Sequence, residues 1–305
     1  MNTTPQHDVP VTKVVTLLIA GLLTFGFAPI LVRFATEVEP LVLAAMRTGF
    51  SALILLPFWY PKRMPLKILK AEGIKSYLLI AAGVSLGLHF TLWVASLHYT
   101  SVASASVLVT MHPVMLILAE SLLFKARFRP IVWLGVIIAF TGSALLGLAD
   151  DSNMAQFPQA LLGNTLAFLS AVIFVVYFLL GRKIRQKTEW IDYVFYVYTY
   201  ATITCVVLTI IWVGGVPLIT TTSIIVGLGL AIGPTVLGHG AMNYAVKYIS
   251  PTLLSTLVLS EAIVAAIAAF FIFGEIPSGF SIIAMLVIIA GVALTWTKRM
   301  AKPPA

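Results

Sequence analysis

Two stretches decide how this chain folds: Tyr99-Thr-Ser-Val-Ala-Ser-Ala-Ser-Val-Leu-Val-Thr-Met-His112 and Tyr248-Ile-Ser-Pro-Thr-Leu-Leu-Ser-Thr-Leu-Val-Leu-Ser-Glu261. They stand 149 residues apart, and at that shift Tyr99 meets Tyr248, Ser101 meets Ser250, Ser106 meets Ser255 and His112 meets Glu261. The same shift brings Phe25 to Phe174, Arg33 to Arg182, Ala119 to Ala268, Phe124 to Phe273 and Gly142 to Gly291. Single identities are cheap. One shift that serves the start, middle and end of a half-chain marks an internal repeat.

Both copies are written in membrane composition. Of 305 residues, 60% are apolar and 10% charged, against roughly 45–50% and roughly 25% in an average soluble domain. A hydrocarbon core about 30 Å thick needs about 20 mostly apolar residues to cross it as a helix. Such runs predict helices near 14–36, 40–60, 75–98, 101–124, 130–149, 160–182, 189–213, 222–247, 250–273 and 278–297. The fold class is therefore an all-α polytopic membrane protein of ten transmembrane helices. Its first five-helix repeat spans 13–149 and its second 160–298, with short tails at 1–12 and 299–305. Because five is odd, the second copy enters the membrane from the other side, which makes the halves inverted-topology repeats. That architecture lets one midplane site open alternately to either side.

The net charge of +8 is distributed by topology. With the N-terminus in the cytoplasm, 17 of the 19 Lys and Arg fall at cytoplasmic helix ends, leaving Arg33 at an outer end and Arg47 inside the second helix. Both termini are thus expected in the cytoplasm of an inner or plasma membrane, and the basicity does not advertise a nucleic-acid partner. The first apolar run follows Lys13, is too long for a signal-peptide core and lacks an A-x-A pattern, so it is expected to remain as a helix. The lone Cys205 excludes an intrachain disulfide and a CxxC redox pair. No metal or cofactor is expected.

The segments Pro40-Leu-Val-Leu-Ala-Ala-Met-Arg47, Tyr99-Thr-Ser-Val-Ala-Ser-Ala with Pro113, and Leu259-Ser-Glu261-Ala-Ile-Val-Ala-Ala-Ile-Ala-Ala-Phe-Phe-Ile-Phe-Gly-Glu275 with Gly291 resemble EamA-type members of the drug/metabolite transporter superfamily. The likeness covers the whole chain as two tandem units. It departs at Lys125-Ala126-Arg127, where the family usually has Gly-Glu-Arg, and at Ala262, where a proline often follows the glutamate. The resemblance implies a secondary transporter, an exporter of a small organic metabolite, with amino acids and related compounds the commonest cargo. It further implies helices one, three, four, six, eight and nine around the cavity, with five and ten peripheral.

An ionised group at the bilayer centre costs about 2.5–3.5 kcal/mol on insertion scales, so each such residue is a candidate for function. Glu261 and His112 sit near the midplane at repeat-equivalent positions and are candidates for binding substrate or a proton; the alternative is a structural glutamate and a satisfied interior histidine. Helices three and eight carry Gly83, Gly87 and His89, and Pro234, Gly238, His239, Gly240 and Asn243, interruptions of the kind that mark transporter sites. His239 and Asn243 share a helix face and could present donor and acceptor to a ligand, or bond a neighbouring helix instead. Arg47 matches the family's helix-two arginine and could hold a carboxylate, or pair within the protein. Trp93 and Tyr177 could stack on a ligand or simply pack.

Two other classes were weighed. Gly83-Val-Ser85-Leu-Gly87 matches G-x-S-x-G, the trace of a rhomboid-like enzyme, but it lies within a spanning helix rather than a strand-to-helix elbow. A channel or facilitator would want a ring of like charges or a glycine-rich filter, and neither appears. The partners expected are the lipid bilayer, a small-molecule substrate and protons. The stripe Gly135, Ala139, Ser143 and Gly147 permits close helix contact, either inside the chain or across a homodimer.

Overall fold

The computed structural model describes residues 11–63, 76–125, 127–151, 157–249, 254 and 257–295. Lys67, Lys70, Lys75, Ser250, Ser255, Lys298, most of the N-terminal tail and all of the C-terminal tail lie outside the described residues. The regular elements are helices: α1 Val11–Arg33, α2 Pro40–Trp59, α3 Ser76–Tyr99, α4 Val102–Val109, α5 His112–Phe124, α6 Pro130–Asp151, α7 Ala160–Arg185, α8 Trp190–Val213, α9 Thr221–Leu230, α10 Gly240–Ala245, α11 Leu259–Phe273 and α12 Gly279–Leu294. A π-helical segment, Ala231–His239, joins α9 to α10.

Among the described residues, seven stretches are long and apolar enough to cross a membrane: α1, Pro40–Lys62, α3, Val102–Leu123 across α4 and α5, α7, α8, and Thr221–Ala245 across α9 and α10. Three shorter apolar helices, Pro130–Leu146, Val264–Phe273 and Gly279–Leu294, accompany them. The outer surface is apolar to match, with Leu122 77% exposed, Ile211 72% and Phe271 79%, side chains that water would not tolerate in such number. The protein is a multi-pass helical membrane protein.

Local chemistry sets the helix ends. Ser101 caps α4 by accepting the Ser104 N–H, Thr220 and Ser223 form a capping box on α9, and Ser278 caps α12. Gly214 and Gly274, at φ 72° and 66°, close α8 and α11 in the left-handed region.

Two helices expected to be regular throughout are not. The run 101–124 breaks at Thr110–Met111 between α4 and α5. Pro113, in the first turn of α5, lacks an N–H and crowds the carbonyl one turn earlier, so the helix restarts instead of running through. In the run 222–247, Pro234 does the same to the Leu230 carbonyl. That carbonyl accepts the Thr235 hydroxyl at 2.8 Å, and the backbone widens into the π register. In the second half a turn at Val258, 149 residues after Val109, precedes α11.

Helix α3 packs along α7 and α8, α2 lies against α8, and α1 crosses the π segment and α11. The glycines of helix three serve this packing. A Cβ on Gly83 would fall 2.3 Å from Tyr200 Cβ, and one on Gly87 2.9 Å from the Ala201 carbonyl, so both face α8. Ser85 therefore stands mid-helix between two packing glycines. The small-residue stripe is used inside the chain, where Gly135 and Ala139 meet Gly291 of α12. At one end of the bundle Arg33 Nε lies 2.9 Å from Glu275 Oε1, joining α1 to the α11–α12 link.

Candidate functional site

Where α1, α2, α3, α7, the π segment and the start of α11 converge on the α4–α5 break, they enclose a cavity of about 30 Å³. Its walls are Phe25, Ala28, Arg47, His89, Phe90, Trp93, Val109, His112, Phe174, His239, Met242, Val258 and Glu261. A water needs roughly 10–15 Å³ of such space, so the site is closed around at most a water or two. Six of the eight candidate residues, Glu261, His112, His239, Arg47, His89 and Trp93, meet there from five separate stretches of chain.

Arg47 is 1% exposed and does not reach for the surface. Its Nε donates to Thr235 Oγ1 at 3.1 Å, and its guanidinium lies 3.8 Å from the centre of the Phe90 ring and 5.4 Å from that of Trp93. Thr235 is available because the π register has turned its hydroxyl toward the Leu230 carbonyl, while its own carbonyl accepts Tyr198 Oη at 2.9 Å. The aromatic faces hold the cation flat, an arrangement favourable for arginine. Arg47 lines the cavity, where a guanidinium is a group suited to a carboxylate.

His112 begins α5 and Glu261 lies in the first turn of α11. Both sit at helix N-termini, where the helix dipole favours negative charge. His112 lies tilted against Phe174, ring centres 4.5 Å apart; His239 meets Phe25 and Phe90 edge-on, each at 4.9 Å. His89 is the most tightly held, its Nδ1 3.1 Å from the Ser170 carbonyl and 2.8 Å from Ser170 Oγ. Three buried atoms of the wall, Trp93 Nε1, His112 Nδ1 and His239 Nδ1, have no hydrogen-bond partner among the described residues. Leaving a buried polar atom unmade costs about 1–3 kcal/mol, which a polar ligand would recover.

Tyr177 and Asn243 do not line the cavity. They bond each other, Tyr177 Oη donating to Asn243 Oδ1 at 2.8 Å, on the flank of the site where Tyr177 and Phe174 rings lie 5.5 Å apart. The Asn243 carbonyl accepts Arg185 Nε at 2.9 Å. Asn243 thus shares a face with His239 but points into a different contact. The residues that sequence reasoning passed over are Phe25, Phe90, Phe174 and Met242 on the wall and Ser170 and Thr235 behind it. The signal was present for two of them, since Phe25 and Phe174 are repeat partners.

Chemically, the site offers one fixed cation, one carboxylate, three imidazoles and four aromatic rings. It can grip a small polar head by charge and hydrogen bonding and an apolar body by stacking. Among the described residues no group of three or more His, Cys, Asp or Glu is placed to hold a metal ion.

Comparison with known proteins places this arrangement. The family model of EamA-like transporters matches residues 12–148 and again 161–297. An uncharacterized transporter of Archaeoglobus fulgidus is 25% identical over 265 residues, covering 86% of this chain and 90% of that protein. An uncharacterized transporter of Bacillus subtilis, YdfC, is 26% identical over 213 residues, 65% of this chain and 63% of that one. A solved crystal structure of a protein superposes with a TM-score of 0.66, covering 93% of this chain and 97% of its own at 17% identity, which speaks for the fold alone. With both halves of its length matched, the chain belongs to the EamA-like transporter family, and it is a membrane transporter.

Proposed function

We propose that this transporter is a secondary exporter of a small organic metabolite, working by alternating access around the cavity that holds Arg47 and Glu261. The observation that carries the reading is the symmetry of the wall. Phe25 and Phe174, Phe90 and His239, Trp93 and Met242, Val109 and Val258, and His112 and Glu261 are five lining pairs, each separated by 149 residues. A site lined this way lies on the axis that would exchange the two halves, as a site serving both sides of the membrane must. Helix packing supports the same exchange: α1 lies against the π segment and α11 as α7 lies against α3 and the α4–α5 pair.

On this reading the seven long and three shorter apolar helices make ten spans, five in 13–149 and five in 160–298 with inverted topology. Both termini face the cytoplasm of an inner or plasma membrane by charge placement. Arg47 takes a carboxylate, Glu261 and the histidines take an amino or hydroxyl group, and the rings take the apolar body, which suits an amino acid or related compound. Glu261 is also the candidate for proton coupling. The export direction follows the family resemblance.

The test is counterflow in proteoliposomes, screened across a library of small metabolites with amino acids first. At least one compound should show trans-stimulated uptake that Arg47→Ala abolishes. Flux without trans-stimulation, or flux indifferent to Arg47, would sink alternating access at this site.

A further inference from the structure

The repeat carries an arginine at the end of the first helix of each half, Arg33 and Arg182, yet only one half carries the acid that could receive it: Glu275 has Ala126 as its repeat counterpart. The two arginines have different fates. Arg33, its side chain 11% exposed, holds Glu275 Oε1 at 2.9 Å and donates through Nη2 to the Thr100 carbonyl at 2.8 Å. Arg182 is exposed.

Glu275 does more than pair. Its second oxygen accepts the Val102 backbone N–H at 2.9 Å, at the start of α4. The carboxylate therefore ties three points at one end of the bundle: the end of α1, the start of α4 and the link between α11 and α12. These segments lead directly to cavity-lining residues, Phe25 on α1, Val109 on α4 and Glu261 on α11. At the other end the buried arginine is Arg185, and its partners are the carbonyls of Asn243 and Thr188.

We propose that Arg33 and Glu275 form a charged latch that shuts one mouth of the pathway, built on an acid that the repeat does not duplicate, since Ala126 stands at the position equivalent to Glu275. The proposal rests on the alternating-access reading above. The latch must break for the Arg33 mouth to open, because α1 and the α11–α12 link cannot part while one carboxylate spans them.

The experiment uses the full chain in vesicles of each orientation, with Cys205→Ala and a single cavity cysteine, Val109→Cys, labelled by a membrane-impermeant thiol reagent. Glu275→Gln keeps the shape and can still accept from Val102, but removes the charge. It should raise labelling from the Arg33 face by about tenfold, the scale set by one charge-assisted hydrogen bond, and leave or lower labelling from the other face. The double exchange Arg33→Glu with Glu275→Arg should bring the rate back toward that of the starting protein, with size-exclusion profiles checking that each variant is folded.

Equal labelling before and after Glu275→Gln, a rise from both faces alike, or a folded double exchange that stays open would each overturn the latch while leaving alternating access standing. A cavity cysteine that is never labelled from either face in any variant would overturn both.

Discussion

Gly142 and Gly291, repeat partners, meet on the same interface between α6 and α12, and alanine at either should injure the protein to a similar degree. A Cβ on Gly291 would lie 2.4 Å from the Ala139 backbone nitrogen and 2.8 Å from its Cα; one on Gly142 would lie 2.8 Å from the backbone nitrogen of Ile288. Ala139 and Ile288 are themselves 149 residues apart, so the two clashes are one clash seen from each half. The obstacles are backbone, which no side-chain rotation relieves. To restore ordinary contact near 3.5 Å the helices must part by roughly 1 Å. Overpacking of this kind costs about 1–3 kcal/mol, which lowers the melting temperature by about 2–5 °C for a chain of this size.

The assay is thermal unfolding of the detergent-purified protein followed by size exclusion, with Gly279→Ala as control, since a Cβ there meets nothing within 4 Å. Both variants should melt early and the control should not. If one glycine tolerates alanine while the other does not, the equivalence of the two contacts fails. If both tolerate it, the close helix approach itself is wrong.

Arg47→Ala should cut transport about 30-fold or more, the scale for truncating a buried, hydrogen-bonded charge. Arg47→Lys should recover only part of that, because a lysine cannot offer the fork; flux in proteoliposomes reads both. Glu261→Gln should remove the response of transport to an imposed pH gradient, and normal transport with an unchanged response would end the proton-coupling idea. Tyr177→Phe should destabilise by about 1–3 kcal/mol through the partner it leaves unmade on Asn243, yet keep substrate affinity nearly unchanged. A large rise in KM would mean that Tyr177 touches the substrate after all.

Much of the fold was legible because lipid enforces simple rules. A run of about 20 apolar residues has few ways to satisfy its backbone other than as a helix, and a shift of 149 residues related the two halves before any contact was known. The cavity was legible in its charged members for the same reason: Arg47, His112, His239 and Glu261 are costly at depth and so stand out. The aromatic wall was not, because Phe25, Phe90 and Phe174 look like any other apolar residue in a bundle, and only their meeting around a void distinguishes them. Gly83 and Gly87 misled in the opposite direction. A glycine in a helix signals close approach without saying of what, and here the visitor is α8. The break at Thr110–Met111 and the widening within Ala231–His239 were signalled by Pro113 and Pro234, but whether proline kinks, breaks or widens a helix depends on which neighbour takes up the freed carbonyl. Thr235 does so in the second case.

The smallness of the central cavity, about 30 Å³, has an electrical meaning. A membrane that stores energy as an ion gradient is an insulator, and every protein through it is a possible short circuit. A chamber that admits a water or two, walled by phenylalanines and a tryptophan, interrupts any continuous file of water along which protons could hop. Arg47 and Glu261 thus face a chamber with room for a water or two and not for a file of them.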